Sequence, residues 1–197
     1  MKFLFDLGGV FFDWHPRHFY KSLFSSEKEM NYFLTYICND EWNIKQDAGK
    51  LIKDAENELI QKFPNYSKEI KMYYANHRKM IRAIYQSSVD KLLELKSLNY
   101  LCYALSNWSA ETFVGMIEDY PFLNKFDDLL ISGQNNLKKP DIAIYELAIS
   151  RFKLIPEKTV FIDDNLENIL VAKKLNFKTI HLINPNLINE ELQKFIS

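Results

Sequence analysis

Cysteine is scarce in this chain, whose 197 residues include two, Cys38 and Cys102, in no CxxC pair. A disulfide framework and a cysteine-based zinc site are therefore excluded, and a reducing compartment is the simplest expectation. Net charge is also nearly absent, because 25 basic residues are balanced by 26 acidic ones. We therefore expect neither a nucleic-acid partner nor an anionic membrane partner.

Long hydrophobic runs are missing as well, and no segment approaches the roughly 18 apolar residues needed to span a bilayer. The apolar run after Lys2 resembles a signal sequence, but Asp6 interrupts it and no small-residue cleavage site follows. We expect a soluble, cytoplasmic protein. Its length and its 47% hydrophobic residues fit one domain, or a core with one insertion.

Short apolar runs alternate with helical segments at both ends of the sequence. The runs predict strands at 3–6, 100–105, 129–131, 159–162 and 179–182, and the helical segments fall near 110–118, 141–152, 166–175 and 189–195. This alternation indicates βαβ units and an α/β fold with a parallel sheet. Residues 17–85 show helical periodicity and weak strand signals, which predicts an inserted bundle of about four helices.

Polar residues stand where three of the predicted strands end. Asp6 is the last residue of the first strand, Ser106-Asn107 follow the second, and Asp163-Asp164 follow the fourth. Ligands of open α/β sheets bind beyond these carboxyl ends, so we expect the groups to meet there. Carboxylates at such short range repel one another unless a cation intervenes, and oxygen-only ligands favour Mg²⁺. An ammonium from Lys138-Lys139 would balance a dianionic phosphate in the same cluster.

These stretches resemble the motifs of the haloacid dehalogenase-like (HAD) hydrolases. The matching segments, in chain order, are Phe5-Asp6-Leu7-Gly8-Gly9-Val10, Leu105-Ser106-Asn107, Lys139-Pro140 and Phe161-Ile162-Asp163-Asp164-Asn165. The branch they resemble most includes sugar-1-phosphate phosphatases. The resemblance implies a three-layer Rossmann-like core at 1–13 and 87–197, with a helical C1-type cap at 14–86.

The resemblance also implies a role for each matched residue. Asp6 is expected to attack phosphorus and form an aspartyl-phosphate, with Lys139 neutralising charge on the phosphoryl group. Ser106 and Asn107 are expected to hold the phosphoryl oxygens. Mg²⁺ is expected between Asp6, Asp164 and the main-chain carbonyl of Gly8, with Asp163 binding it directly or through water.

Gly8 is the one departure from the family pattern. Most phosphatases of the family carry a second acid at this position, and losing such an acid typically costs about 10²–10⁴ in rate. Three interpretations follow. The protein is a phosphatase of small, activated phosphomonoesters such as sugar-1-phosphates, assisted by water or by a cap group (Asp13, His15, His18 or Asp47). Alternatively it is a weakly catalytic phosphate-binding or regulatory protein, or a metal-independent 2-haloacid dehalogenase.

Three tryptophans bear on the choice of substrate. Trp14 lies at the expected hinge into the cap, and Trp108 directly follows the Ser-Asn pair. Either ring suits stacking on a sugar face, although packing in the core is an equal interpretation for both and the better one for Trp42. We predict that Trp14 and Trp108 bind substrate and that hinges lie near 12–14 and 86–88. The sequence does not indicate the oligomeric state.

Overall fold

The computed structural model describes residues 1–196 and contains a five-stranded and a two-stranded sheet. The strands are β1 Lys2–Phe5, β2 Phe12–Trp14, β3 Ile81–Ile84, β4 Leu101–Ser106, β5 Asp128–Ile131, β6 Thr159–Asp163 and β7 Lys178–His181. The larger sheet has the order β5-β4-β1-β6-β7, and all its neighbouring strands are parallel. The predicted α/β fold with a parallel sheet is confirmed.

The α-helices lie between and around these strands. They are α1 Pro16–Tyr20, α2 Glu27–Tyr32, α3 Asp40–Asp47, α4 Ile52–Lys62, α5 Ser67–Ala75, α6 Gln86–Ser97, α7 Ala110–Phe113, α8 Met116–Asp119, α9 Ile142–Phe152, α10 Leu166–Lys174 and α11 Ile188–Gln193. None of the helices within residues 1–196 combines the length and the apolar character that a bilayer crossing requires.

Both faces of the large sheet are covered, which explains why its central strands are apolar throughout. Along β1, Phe3 and Phe5 pack in one hydrophobic cluster with residues of α6 and α11. Leu4 points to the opposite face and packs with residues of α9 and α10. This alternation is the two-residue period of a strand, and it produces the three-layer arrangement of helices, sheet and helices.

The segment 15–80, which we call the insertion, carries α1–α5 and leaves the core after β2. Its aromatic and aliphatic residues form a third buried cluster, which includes Tyr20, Phe33, Trp42 and Tyr73. Trp42 packs inside this cluster and donates a hydrogen bond from Nε1 to the carbonyl of Ala55 at 3.3 Å. The core-packing interpretation of Trp42 therefore holds. The boundaries at 14 and 86 stay a prediction.

Three details of the predicted secondary structure were wrong. The helical segment predicted at 17–85 includes residues 81–84, but these form β3 and pair antiparallel with β2. The predicted helix at 110–118 is divided into α7 and α8 at Gly115, whose φ of 78° is unfavourable for other residues. The last helix begins at Ile188 and ends at Gln193, two residues before the predicted end.

Candidate active site

Three carboxylates meet at the carboxyl edge of the large sheet. Asp6 follows β1, and its backbone N–H donates to the carbonyl of Ile162 at 2.8 Å, so it lies directly beside the end of β6. Asp163 ends β6 and Asp164 follows it. One ligand oxygen from each of the three carboxylates lies within 4.8 Å of the other two. The sheet therefore brings together the acids that the sequence places 157 residues apart.

Lys139 is the cation inside this cluster. Its Nζ lies 2.9 Å from Asp6 Oδ1 and 2.6 Å from Asp163 Oδ2, and 1% of its side chain is exposed. Burial tends to lower the pKa of Lys139, but the carboxylates of Asp163 and Asp6 outweigh it and raise the pKa. Lys139 is thus held as an ammonium ion beside Asp6. Lys138, its neighbour, faces outward and lies near Asp141.

The cluster retains more negative charge than Lys139 balances. Burial, reinforced by the charges of Asp163 and Asp164 and opposed by Lys139, raises the pKa of Asp6 to about 7. Burial and Asp163 also raise the pKa of Asp164. Asp6 Oδ1 is buried, and its close partner among the described residues is Lys139 Nζ at 2.9 Å. An all-oxygen donor set with three carboxylates and one ammonium fits a hard divalent cation such as Mg²⁺.

Asp163 differs from its two neighbours, because its oxygens are already occupied. In addition to Lys139, it accepts hydrogen bonds from the side-chain amide of Asn168 at 3.0 Å and from the backbone N–H of Asn165 at 2.8 Å. Asn168 lies on the buried face of α10. These contacts fix the loop between β6 and α10, and they leave Asp6 and Asp164 as the carboxylates better placed for a metal.

The turn after β1 approaches Asp164 very closely. Gly9 has a φ of 65°, and a Cβ atom at this position would lie 2.1 Å from Asp164 Oδ2. A side chain at Gly9 is therefore incompatible with the observed position of the Asp164 carboxylate. Gly8 is different, because a Cβ atom there would meet no heavy atom within 4 Å. The space that an acid occupies in most phosphatases of the family is open.

Ser106 and Asn107 lie at the end of β4, next to β1 in the sheet. Ser106 is buried. The side chain of Asn107 accepts a hydrogen bond from Lys139 N at 2.8 Å and donates one to Lys139 O at 2.9 Å. Asn107 therefore holds the main chain of Lys139 in place. The sequence motif did not reveal this contact, because the two residues are 32 positions apart.

A small cavity of about 60 Å³ lies between the insertion and this edge of the sheet. The core contributes Gly8, Asn107 and Trp108 to its lining, and Trp14, Asp47 and His77 line the opposite side. The His77 ring lies between the two indoles, with 5.6 Å from its centroid to each. The structure thus brings Trp14 and Trp108 together beside Gly8. His77 and Asn168 carried no sequence signal that singled them out.

Three residues that line the cavity each carry a buried polar atom without a partner. Trp14 Nε1, Trp108 Nε1 and His77 Nδ1 are buried and have no hydrogen-bond partner within residues 1–196. A buried N–H group that lacks a partner typically costs about 1–3 kcal/mol. Two indoles and an imidazole around one space, beside the polar side chains of Asn43 and Asn107, are suited to a ligand that has both apolar surface and oxygen atoms.

The sequence is similar to those of two phosphatases. The sesquiterpene phosphatase astK from Aspergillus oryzae is 25% identical over 195 residues, which span 98% of this chain and 95% of that protein. D-ribitol-5-phosphate phosphatase from Bacteroides thetaiotaomicron is 32% identical over 98 residues, or 46% of this chain and 47% of its own length.

A HAD family enzyme from Bacteroides thetaiotaomicron, bt-2542, has been crystallised in complex with magnesium and inorganic phosphate. The two structures share a TM-score of 0.68 at 22% identity, over 91% of this chain and 92% of the other, which shows that the fold is the same. The family model described as haloacid dehalogenase-like hydrolase matches residues 4–182. The chain therefore belongs to the haloacid dehalogenase-like hydrolase family.

Proposed function

We propose that this protein is a Mg²⁺-dependent phosphatase that hydrolyses a small phosphomonoester through an aspartyl-phosphate on Asp6. One observation carries the proposal: three carboxylates and a buried lysine converge where three strands of the sheet end. The similarity to astK and to D-ribitol-5-phosphate phosphatase, whose names describe phosphatases, supports it.

In this proposal Asp6 is the nucleophile. Its carboxylate attacks phosphorus, while Lys139 balances the charge that accumulates on the phosphoryl oxygens. Ser106 and the main-chain N–H of Asn107 orient the phosphoryl group, while the Asn107 side chain holds the main chain of Lys139. Asp163, whose oxygens Lys139 and Asn168 occupy, positions the lysine. A bound Mg²⁺, held by Asp6, Asp164 and the Gly8 carbonyl, would supply charge neutralisation that allows an anion to approach an anion.

We propose a hydroxylated leaving group, of which a sugar-1-phosphate is the leading example. The cavity beside Gly8 is lined by Trp14 and Trp108 and by the polar side chains of Asn43 and Asn107, a combination that suits a hydroxylated ligand. A substrate panel tests this preference by kcat/KM. We expect sugar-1-phosphates to exceed unsubstituted alkyl phosphates of similar size, and equal values would contradict the preference.

The decisive experiment measures hydrolysis of 4-nitrophenyl phosphate with Mg²⁺ and after its removal by EDTA. We expect turnover with Mg²⁺, its loss with EDTA, its return when Mg²⁺ is added back, and no turnover in Asp6→Asn. Metal-independent release of chloride from 2-chloropropionate would instead indicate a dehalogenase. The absence of both reactions would indicate a binding or regulatory protein. A cytoplasmic location stays a prediction.

A further inference from the structure

The open space at Gly8 leaves the proposed reaction without its usual proton donor. When the bond between phosphorus and the leaving oxygen breaks, that oxygen gains an electron pair and needs a proton, unless it is already a stable anion. The residue that supplies the proton must reach the cavity beside Gly8. The sequence singles out four candidates, namely Asp13, His15, His18 and Asp47. His77 also lines the cavity, but burial lowers its pKa to about 4, so near neutral pH it is uncharged and a poor acid.

Three of these candidates are placed elsewhere. Asp13 is paired with His18 at 3.1 Å and with Arg82 at 2.6 Å. The two hydrogen bonds outweigh partial burial and lower the pKa of Asp13, so it is a carboxylate without a proton to give. His15 caps α1 through its Nδ1. Asp13, His15 and His18 all line a separate groove, which Gly8 does not border.

Asp47 is the candidate that lines the cavity together with Gly8. It is the last residue of α3, and 9% of it is exposed. The core holds this end of the helix, because Ser132 Oγ donates a hydrogen bond to the Asp47 carbonyl. Asn43 Nδ2 donates to Asp47 Oδ2 at 3.0 Å, which orients the carboxyl group.

The surroundings of Asp47 favour a carboxyl group that changes protonation state near neutral pH. No lysine or arginine within residues 1–196 forms an ion pair with it. Burial raises its pKa to about 7, and a backbone hydrogen bond from Ser109 opposes the rise in part. Among the nearby titratable groups, burial raises the pKa of Tyr73 and Tyr74 and lowers that of His77 to about 4, so all three are neutral.

We propose that Asp47 is the catalytic acid and base that replaces the side chain missing at Gly8. The inference rests on the proposed phosphatase function. In the first step Asp6 forms a bond to phosphorus, the bond to the leaving oxygen breaks, and that oxygen takes the proton of Asp47. In the second step Asp47 takes a proton from water, whose oxygen attacks phosphorus. The bond to Asp6 then breaks, which releases phosphate and restores both carboxyl groups.

The test compares two leaving groups in Asp47→Asn. 4-Nitrophenolate departs without a proton, whereas the sugar oxygen of glucose 1-phosphate requires one. We expect the first-step rate with glucose 1-phosphate to fall at least about 100-fold. The burst of 4-nitrophenol should stay within about 10-fold of the wild-type rate. Steady-state turnover should then be slow, because water is no longer activated and the aspartyl-phosphate accumulates.

Two further variants keep the test decisive. Asp40→Asn removes an exposed carboxyl group from the same helix and should leave both rates unchanged. Asp47→Glu retains a proton donor and should retain part of the glucose 1-phosphate rate. Equal losses with the two substrates in Asp47→Asn would overturn the inference. The inference would also be overturned if the wild-type enzyme cleaved 4-nitrophenyl phosphate but not glucose 1-phosphate. If the wild-type enzyme cleaved neither substrate, the phosphatase function itself would be refuted.

Discussion

At the scale of single residues, the candidate site depends on the charge balance around Lys139. The Lys139 side chain is 1% exposed and lies between Asp6 and Asp163, whose side chains are 12% and 0% exposed, so water compensates these charges little. A buried ion pair contributes little net stability compared with apolar packing, but removing one partner leaves an uncompensated charge. Lys139 is therefore needed for folding as well as for the proposed chemistry.

Lys139→Met is expected to lower the free energy of unfolding by about 3–5 kcal/mol at pH 8, because it leaves two buried carboxylates without their cation. Lys138→Met is the matched control. Its ammonium is partly exposed and lies 3.4 Å from Asp141, so we expect a change within about 0.5 kcal/mol. Urea denaturation measures both. Similar stability of the two variants would contradict the charge balance described above.

Asp47 gives a prediction about pH. The folded state holds its proton up to a pKa of about 7, well above the ordinary value of 3.8. Its contribution to stability is therefore fully present below about pH 4 and is lost as the pH rises through 7. When the pH is raised from 5 to 8, the free energy of unfolding of Asp47→Asn should increase by about 1–4 kcal/mol relative to that of the wild type.

Urea denaturation at the two pH values checks this. The opposite contribution of His77, whose pKa burial lowers to about 4, is common to both proteins and cancels in the comparison. Asp40→Asn should show no such change. If the unfolding free energies of the wild type and of Asp47→Asn depend on pH in the same way, Asp47 has an ordinary pKa and the prediction is wrong.

The sequence predicts most residues of the site, because strand ends converge in any parallel sheet. Asp6, Ser106, Asp163 and Asp164 could be placed in this way. The contacts of Asn107 with the Lys139 backbone and of Asn168 with Asp163 could not. They depend on the path of one loop and on which face of α10 is buried, and neither is encoded by a local pattern.

At the scale of elements, the turn after β1 contains two glycines that differ in backbone conformation and in their contact with Asp164. Gly9 adopts a positive φ and lies against the Asp164 carboxylate, whereas Gly8 does neither. Gly9→Ala is expected to displace Asp164, with a backbone cost of about 1–2 kcal/mol and weaker Mg²⁺ binding. Gly8→Ala should fold and bind Mg²⁺ like the wild type. Isothermal titration calorimetry with Mg²⁺ and thermal melting compare the two variants. Equal Mg²⁺ affinity in Gly8→Ala and Gly9→Ala would contradict the close approach of Gly9 to the Asp164 carboxylate.

The β2–β3 pair shows where sequence reasoning fails for an element. Ile81 and Ile84 are three residues apart, a spacing that also fits a helix. Strand pairing with β2, which is distant in sequence, decides the conformation instead. The two strands also carry the chain into and out of the insertion, near the predicted hinge at 12–14.

At the scale of the whole molecule, the insertion is docked against the core. Arg78 donates to the carbonyl of Val114 at 2.7 Å and pairs with Asp119, and Glu111 accepts from the backbone N–H of Ile52 at 2.8 Å. The cavity of about 60 Å³ between them has room for roughly four water molecules. A sugar phosphate therefore requires the insertion to move away before it can enter.

Arg78→Ala tests this closure, because it removes contacts between the insertion and the core. Hydrogen bonds to charged groups contribute about 1.5–3 kcal/mol, which corresponds to a shift of roughly 10–150-fold toward the open state. In a Trp42→Phe background, the fluorescence of Trp14 and Trp108 reports on their burial. We expect acrylamide to quench it more strongly in Arg78→Ala than in the unmutated background.

Arg82→Ala is the matched control, since Arg82 pairs with Asp13 across β2 and β3 and does not reach the core. Its quenching should equal that of the background protein. Glucose 1-phosphate turnover should fall in Arg78→Ala, because opening separates Asp47 from Gly8 and from the proposed nucleophile. Unchanged quenching with unchanged turnover would mean that closure does not depend on these contacts. Greater quenching with full turnover would mean that the proton donor lies in the core.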